Sequence, residues 1–219
     1  MVNKKNAFWQ ALLCAIIIFV IGLLIGVWLE KNEATEIEKI LLESDINLLD
    51  SQLIGEVIYE NKEIKCEIAE EEILKFADKI YFEAKELEKI DESSQLTGDL
   101  LTTIHKKYDL LRLILLLEST KIKERCEESF NIVVYIYQYK NPEIKIKSQQ
   151  TAFSRYLIDL KEKYGSDIIL IPIAGDLNLN SIDILKGSYK MDSYPTIIIN
   201  NQHSINNIEN LKELEKLLK

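Results

Sequence analysis

The sequence predicts an α/β chain in three parts: an N-terminal transmembrane helix, an α-helical hairpin stalk, and a C-terminal domain of alternating strands and helices. Three observations lead there. No charged side chain occurs from Ala7 to Leu29. Residues 31–128 place apolar side chains at helical spacing, with only two glycines, Gly55 and Gly98, and no proline. From Phe130 onward the pattern switches to short β-branched runs separated by amphipathic stretches. The expected boundaries are therefore 1–30, 31–128 and 129–219.

The first part has the length and flanks of a membrane anchor. Trp9 and Trp28 stand near its two ends, roughly 28 Å apart along a helix, which matches the hydrocarbon core and its aromatic borders. The competing reading is a cleaved signal peptide, since Lys4 and Lys5 precede the run. The apolar stretch is too long for that, and Gly26-Val-Trp-Leu-Glu30 offers no small-x-small cleavage site. Membrane contact through residues 7–29 is expected, and the lysines on one flank leave the N-terminus cytoplasmic and the bulk of the chain extracytoplasmic. Gly22 and Gly26 form a Gly-x-x-x-Gly that lets two membrane helices approach, a route to a homodimer. Cys14 lies inside the apolar run and is expected to be inert.

Charge narrows the partners. After the anchor there are 25 basic against 36 acidic side chains, a net of −11. Nucleic-acid binding needs the opposite sign and is excluded as an expectation.

The middle part reads as two helices packed along seams. Cys66, Ile73, Ala77, Ile80, Ala84 and Leu87 recur at steps of three, four and seven. Leu101, Ile104, Tyr108, Leu111, Leu115, Glu118, Ile122 and Cys126 do the same, with Glu118 the polar exception. Asp91–Asp99 supplies the turn. Ile37–Tyr59 is a preceding amphipathic stretch expected to pack on the hairpin. Cys66 and Cys126 are equidistant from residue 96, inside the turn, and both fall on the inward seams, so an antiparallel hairpin brings them side by side. A Cys66–Cys126 disulfide is expected, in keeping with an oxidising compartment. Two reduced core cysteines are the alternative.

The C-terminal part follows element by element. Phe130–Gln138 is a buried strand; Gln149–Tyr164 is a helix stopped by Gly165; Asp167–Ala174 is a second strand whose Pro172 marks an early end or a sheet edge. Ser181–Tyr189 is a short helix. Thr196–Asn200 and Gln202–Ile205 flank an Asn-Asn corner, because asparagine tolerates the positive φ of a tight hairpin. Asn206 caps a last helix with Glu209 three residues on and Ile208, Leu211, Leu214 and Leu218 along its apolar face.

This β-α-β-α-β-β-α order, with Tyr189-Lys-Met-Asp-Ser-Tyr-Pro-Thr leading into Ile-Ile-Ile, resembles the thioredoxin fold family over residues 129–219. With the anchor and hairpin the layout is similar to membrane-tethered thioredoxin-like proteins of prokaryotes. The resemblance implies a cis proline at Pro195 and, if the family's binding edge is retained, an extended-peptide groove floored by Tyr194 and Pro195, with Lys145–Gln150 beside it; the alternative is that Pro195 only opens the hairpin. It also implies a nucleophilic thiol in the stretch Tyr139–Gln150, where this chain has no cysteine. Serine and lysine cannot form the mixed disulfide of thiol exchange.

No catalytic residues, cofactor or metal site are expected. Ser148 and Lys147 lack a general base or oxyanion device. His105 and His203 stand outside any ligand spacing and are expected to be solvated. Asp176, Asn178 and Asn180 lack the glycine and glutamate of a calcium loop and read as a polar connection. Glu70, Glu71 and Glu72 read as a solvated face. The leading expectation is a non-catalytic, membrane-anchored protein-binding or scaffold module. The alternative is a component of extracytoplasmic thiol–disulfide exchange, and a purely structural reading makes the hairpin a spacer and the anchor a dimerisation element.

Overall fold

The computed structural model describes residues 4–61, 63–92, 98–126 and 130–218. They form two compact units, Met1–Ile46 and Asn47–Lys219. Helix α1 (Lys4–Glu60) contributes to both. In the first unit, Phe8–Trp28 is long and apolar enough to cross a membrane, and none of it is buried against protein. The side chains of Lys4 and Lys5, on which the orientation depends, lie outside the described residues.

The second unit is a mixed α/β body built on a four-stranded sheet. Helices α2 (Cys66–Glu92) and α3 (Gly98–Arg125) form the hairpin, and residues 93–97 of the expected turn lie outside the described residues. Ile73 and Ile80 of the first seam and Ile104, Tyr108, Leu111, Leu115 and Ile122 of the second are buried. Cys66 and Cys126 form a disulfide, with Cα atoms 5.7 Å apart. The face by which α1 meets this hairpin is not its leucine face. Ser51, Gly55 and Ile58 are buried, whereas Leu49, Leu53 and Val57 point to solvent. Glycine at position 55 permits the approach: a Cβ there would lie 1.9 Å from an Oε of Glu118.

The sheet comprises β1 (Asn131–Tyr137), β2 (Ile168–Ala174), β3 (Thr196–Ile199) and β4 (His203–Ile205) in the order β2-β1-β3-β4. β1 and β2 are parallel, and β3 runs antiparallel to β1 and β4 to β3. Between them lie α4 (Ile144–Tyr164) and α5 (Asn180–Ser188). α4 starts five residues before the expected Gln149. Strand alternation sends Val133, Tyr135, Ile197 and Ile199 into one core with Phe153, Leu157 and Leu160 of α4. The intervening residues Ile132, Val134 and Ile136 are equally buried on the opposite face, where α3 packs against β1 and β2. Covered faces explain why β1 reads as a continuous apolar run.

Pro172 sits within β2, not at its end, because β2 is an edge strand. Gly175 N–H donates to Tyr137 O at 2.8 Å, so alternation turns the nitrogens of Ala174 and Pro172 away from β1, and Pro172 forfeits no ladder bond. The hairpin corner is as the asparagines require: Asn200 and Asn201 have φ of 49° and 57°. The chain's end differs from expectation. Ile208–Glu213 is a 3-10 helix followed by the short α6 (Leu214–Leu217), and the capping side chain is Asn207, which accepts from Glu209 N–H at 3.3 Å. Asn206 is directed instead to Ser193.

Candidate functional site

The C-terminal ends of the parallel strands are where α/β sheets present ligand-binding groups, and here β1, β2, α3, α5 and the segment before β3 converge. The Tyr194–Pro195 peptide bond is cis. Tyr194 is held from β2, its hydroxyl donating to Gly175 O at 2.7 Å. Lys186 of α5 donates to the same carbonyl at 2.6 Å and approaches the Tyr194 hydroxyl at 3.3 Å. Burial disfavours the Lys186 charge, but its bonds to Asp183 and Tyr194 outweigh this and raise its pKa. Gly175 is required by this closeness, since a Cβ would lie 2.5 Å from the Tyr194 ring. Tyr194, Lys186, Lys190, Met191, Asp192 and Ser193 border a surface groove of about 260 Å³. Pro195 is buried and does not line it.

The loop between β1 and α4 is where the resemblance expects a nucleophile, and polar side chains immobilise it. Asp176 accepts from Tyr139 N–H at 2.8 Å and Lys140 N–H at 2.7 Å. Gln150 clasps the main chain of Gln138 in both directions, at 2.8 and 3.1 Å. The amides of Tyr139 and Lys140 are thereby occupied by a carboxylate. Asp176 was not foreseen in this role, because a capping aspartate in a polar connection carries no distinguishing local pattern.

Beneath the loop, α3 contributes a buried polar cluster that the helical seam did not reveal. Asp109 is 1% exposed. One of its oxygens accepts from Ala174 N–H at 3.3 Å and from Arg112 at 3.2 Å, and the other has no hydrogen bond. Burial pushes its carboxyl up to about 6, against the pull of Arg112 and the Ala174 amide. Burial likewise pushes the neighbouring Tyr137 hydroxyl up to about 12. His105 is half-buried rather than solvated, its ring 4.4 Å from that of Tyr139. His203 is exposed, in line with expectation. Among the described residues no group of three or more His, Cys, Asp or Glu side chains is placed to hold a metal ion.

No family model, curated protein or solved structure matches this chain significantly. What the site can do follows from its own groups. It has a fixed aromatic hydroxyl and an open groove, a loop without a thiol, and a buried acid with no access to solvent.

Proposed function

We propose that the chain is a single-pass, membrane-anchored protein whose residues 129–219 form a thioredoxin-like domain without catalytic cysteines, and that this domain binds an extended polypeptide beside Tyr194. The observation that carries the reading is the position of Tyr194. It is the penultimate residue before β3, fixed to Gly175 at the end of β2 and bordering an open groove. The parallel β1–β2 pair followed by the antiparallel β3 and β4 supports the fold. The disulfide supports an extracytoplasmic location, since such bonds persist in oxidising compartments. Strand addition supplies affinity from main-chain hydrogen bonds and leaves selectivity to pockets such as this groove.

The full chain in nanodiscs tests this with a photo-crosslinking residue at Ser193, in the groove, and another at Asp159, on the exposed surface of α4. The probe is a permanently unfolded, carboxymethylated polypeptide. Crosslinking from Ser193 in clear excess over Asp159 is the expected result; equal yields, or none at Ser193, refute the groove. A C-terminal alkaline phosphatase fusion is expected to be active in cells, and an inactive fusion of full abundance refutes the orientation.

One observation favours a second reading. Cys66 is half-buried rather than fully enclosed, so thiol–disulfide exchange through Cys66–Cys126 is the one sulfur chemistry open to the outer part. Insulin-reduction turnover abolished by Cys66→Ser would establish it in place of the binding role.

A further inference from the structure

Leu49, Leu53 and Val57 lie on one face of α1, opposite the residues that pack on the hairpin, and are 59%, 61% and 58% exposed. In sequence the same spacing runs back through Ile46 and Leu42, giving the steps of four and three that a helix uses to receive another helix. Beside Leu49, Leu53 and Val57 the charge is one-sided, the lysine that precedes this stretch, Lys39, being paired with Glu43 at 3.7 Å. From Ile40 to Asn61 there are five acidic residues, Glu43, Asp45, Asp50, Glu56 and Glu60, and no lysine or arginine. At 100° per residue, Glu56 borders the Leu49–Leu53–Val57 face on one side and Asp50 on the other, with Glu60 in line at its end. None of these last three carboxylates takes part in an ion pair among the described residues.

We propose that this face is a docking site for an amphipathic helix of another protein whose apolar seam is bordered by lysine or arginine. A second copy of this chain would set acid against acid along both borders, which disfavours pairing. An anionic lipid surface would be repelled for the same reason. A cationic helix covers the apolar side chains and neutralises both borders at once, the arrangement by which charged flanking positions select partners. The site stands independently of the groove at Tyr194.

The test uses the full chain in phosphatidylcholine nanodiscs and two labelled synthetic helices, each about three heptads long with leucine at the seam. One has lysine at the flanking positions and the other glutamate, and anisotropy is read against empty nanodiscs. The lysine helix is expected to bind at least roughly tenfold more tightly than the glutamate helix. Leu49→Asn/Leu53→Asn is expected to weaken it by roughly tenfold, and Asp50→Asn/Glu56→Gln by a comparable factor, with circular dichroism unchanged. The proposal is overturned if the lysine helix fails to bind, if it binds the Leu49→Asn/Leu53→Asn variant as well as the wild type, or if both helices bind alike. A wild-type dimer that Leu53→Asn dissociates in sedimentation would assign the face to a second copy instead.

Discussion

Asp109 joins α3 to the edge of β2 through Ala174 N–H and keeps one oxygen without a hydrogen bond in a nearly water-free setting. The groups that face it are Arg112 on its own helix, Asp176 after β2 and Tyr137 on β1. Its pKa in the fold, about 6, is raised from the ordinary 3.8, so the folded state holds the proton more tightly than the unfolded chain does. The stability this confers is complete below the ordinary value and is lost as pH rises to about 6. Above that, the buried charge costs the fold roughly 2–3 kcal/mol. Asp109→Asn keeps an oxygen for Ala174 N–H and removes the titration. Relative to that variant, the wild type is expected to lose urea stability between pH 4 and pH 6.5, and parallel profiles for the two proteins would refute the assignment. Nothing in the sequence announced this residue. On a helix buried on two sides, the second buried row, Asp109, Leu113 and Leu116, overlaps the positions that a single seam leaves for solvent.

At the scale of elements, legibility followed the range of the interactions. The Ile-rich strands, the Gly165 stop and the Asn200–Asn201 corner are dictated by residues within a few positions of each other, and the structure has them within a residue or so of the expected boundaries. The Cys66–Cys126 disulfide was legible because two long helices and one turn fix which residues are opposite. The packing face of α1 was not. Ile37–Tyr59 was expected to pack on the hairpin with no face assigned, and the contact is made by Ser51, Gly55 and Ile58, with Glu118 resting against Gly55. Gly55→Ala puts a methyl group 1.9 Å from a Glu118 Oε, expelling a buried carboxylate whose other oxygen is paired with Lys121 at 2.8 Å. The substitution is expected to destabilise by about 1–3 kcal/mol despite the better helix propensity of alanine. In a Glu118→Ala background the obstruction is gone, so Gly55→Ala is expected to stabilise by up to about 1 kcal/mol. The same sign in both backgrounds, by thermal or urea denaturation, would show that the two residues are not coupled.

For residues 47–219 as a whole, the question is whether hairpin and sheet are separate bodies joined by a linker or one cooperative unit. A spacer would present its own closed core, but α3 divides its buried residues between two neighbours. Ile104, Leu111, Leu115 and Ile122 complete the hairpin, while Asp109 holds β2 and Thr120 accepts from Asn201 of the β3–β4 corner at 2.9 Å. The end of the hairpin is tied to α1 and to the segment before α2, Arg125 donating to the carbonyls of Ile58 and Ile64. Loosening the hairpin therefore removes one of the two layers that cover the sheet. Reducing Cys66–Cys126, a bridge between residues 60 apart, releases a loop constraint of about 4 kcal/mol in the chain-entropy model. If the unit is cooperative, that loss is expected in β1 as much as in α2: amide exchange at 132–136 and at 73–80 should accelerate by a common factor of roughly a hundred or more on reduction. Acceleration confined to α2 and α3, with β1 protection intact, would instead make residues 129–219 an independent domain on a detachable stalk.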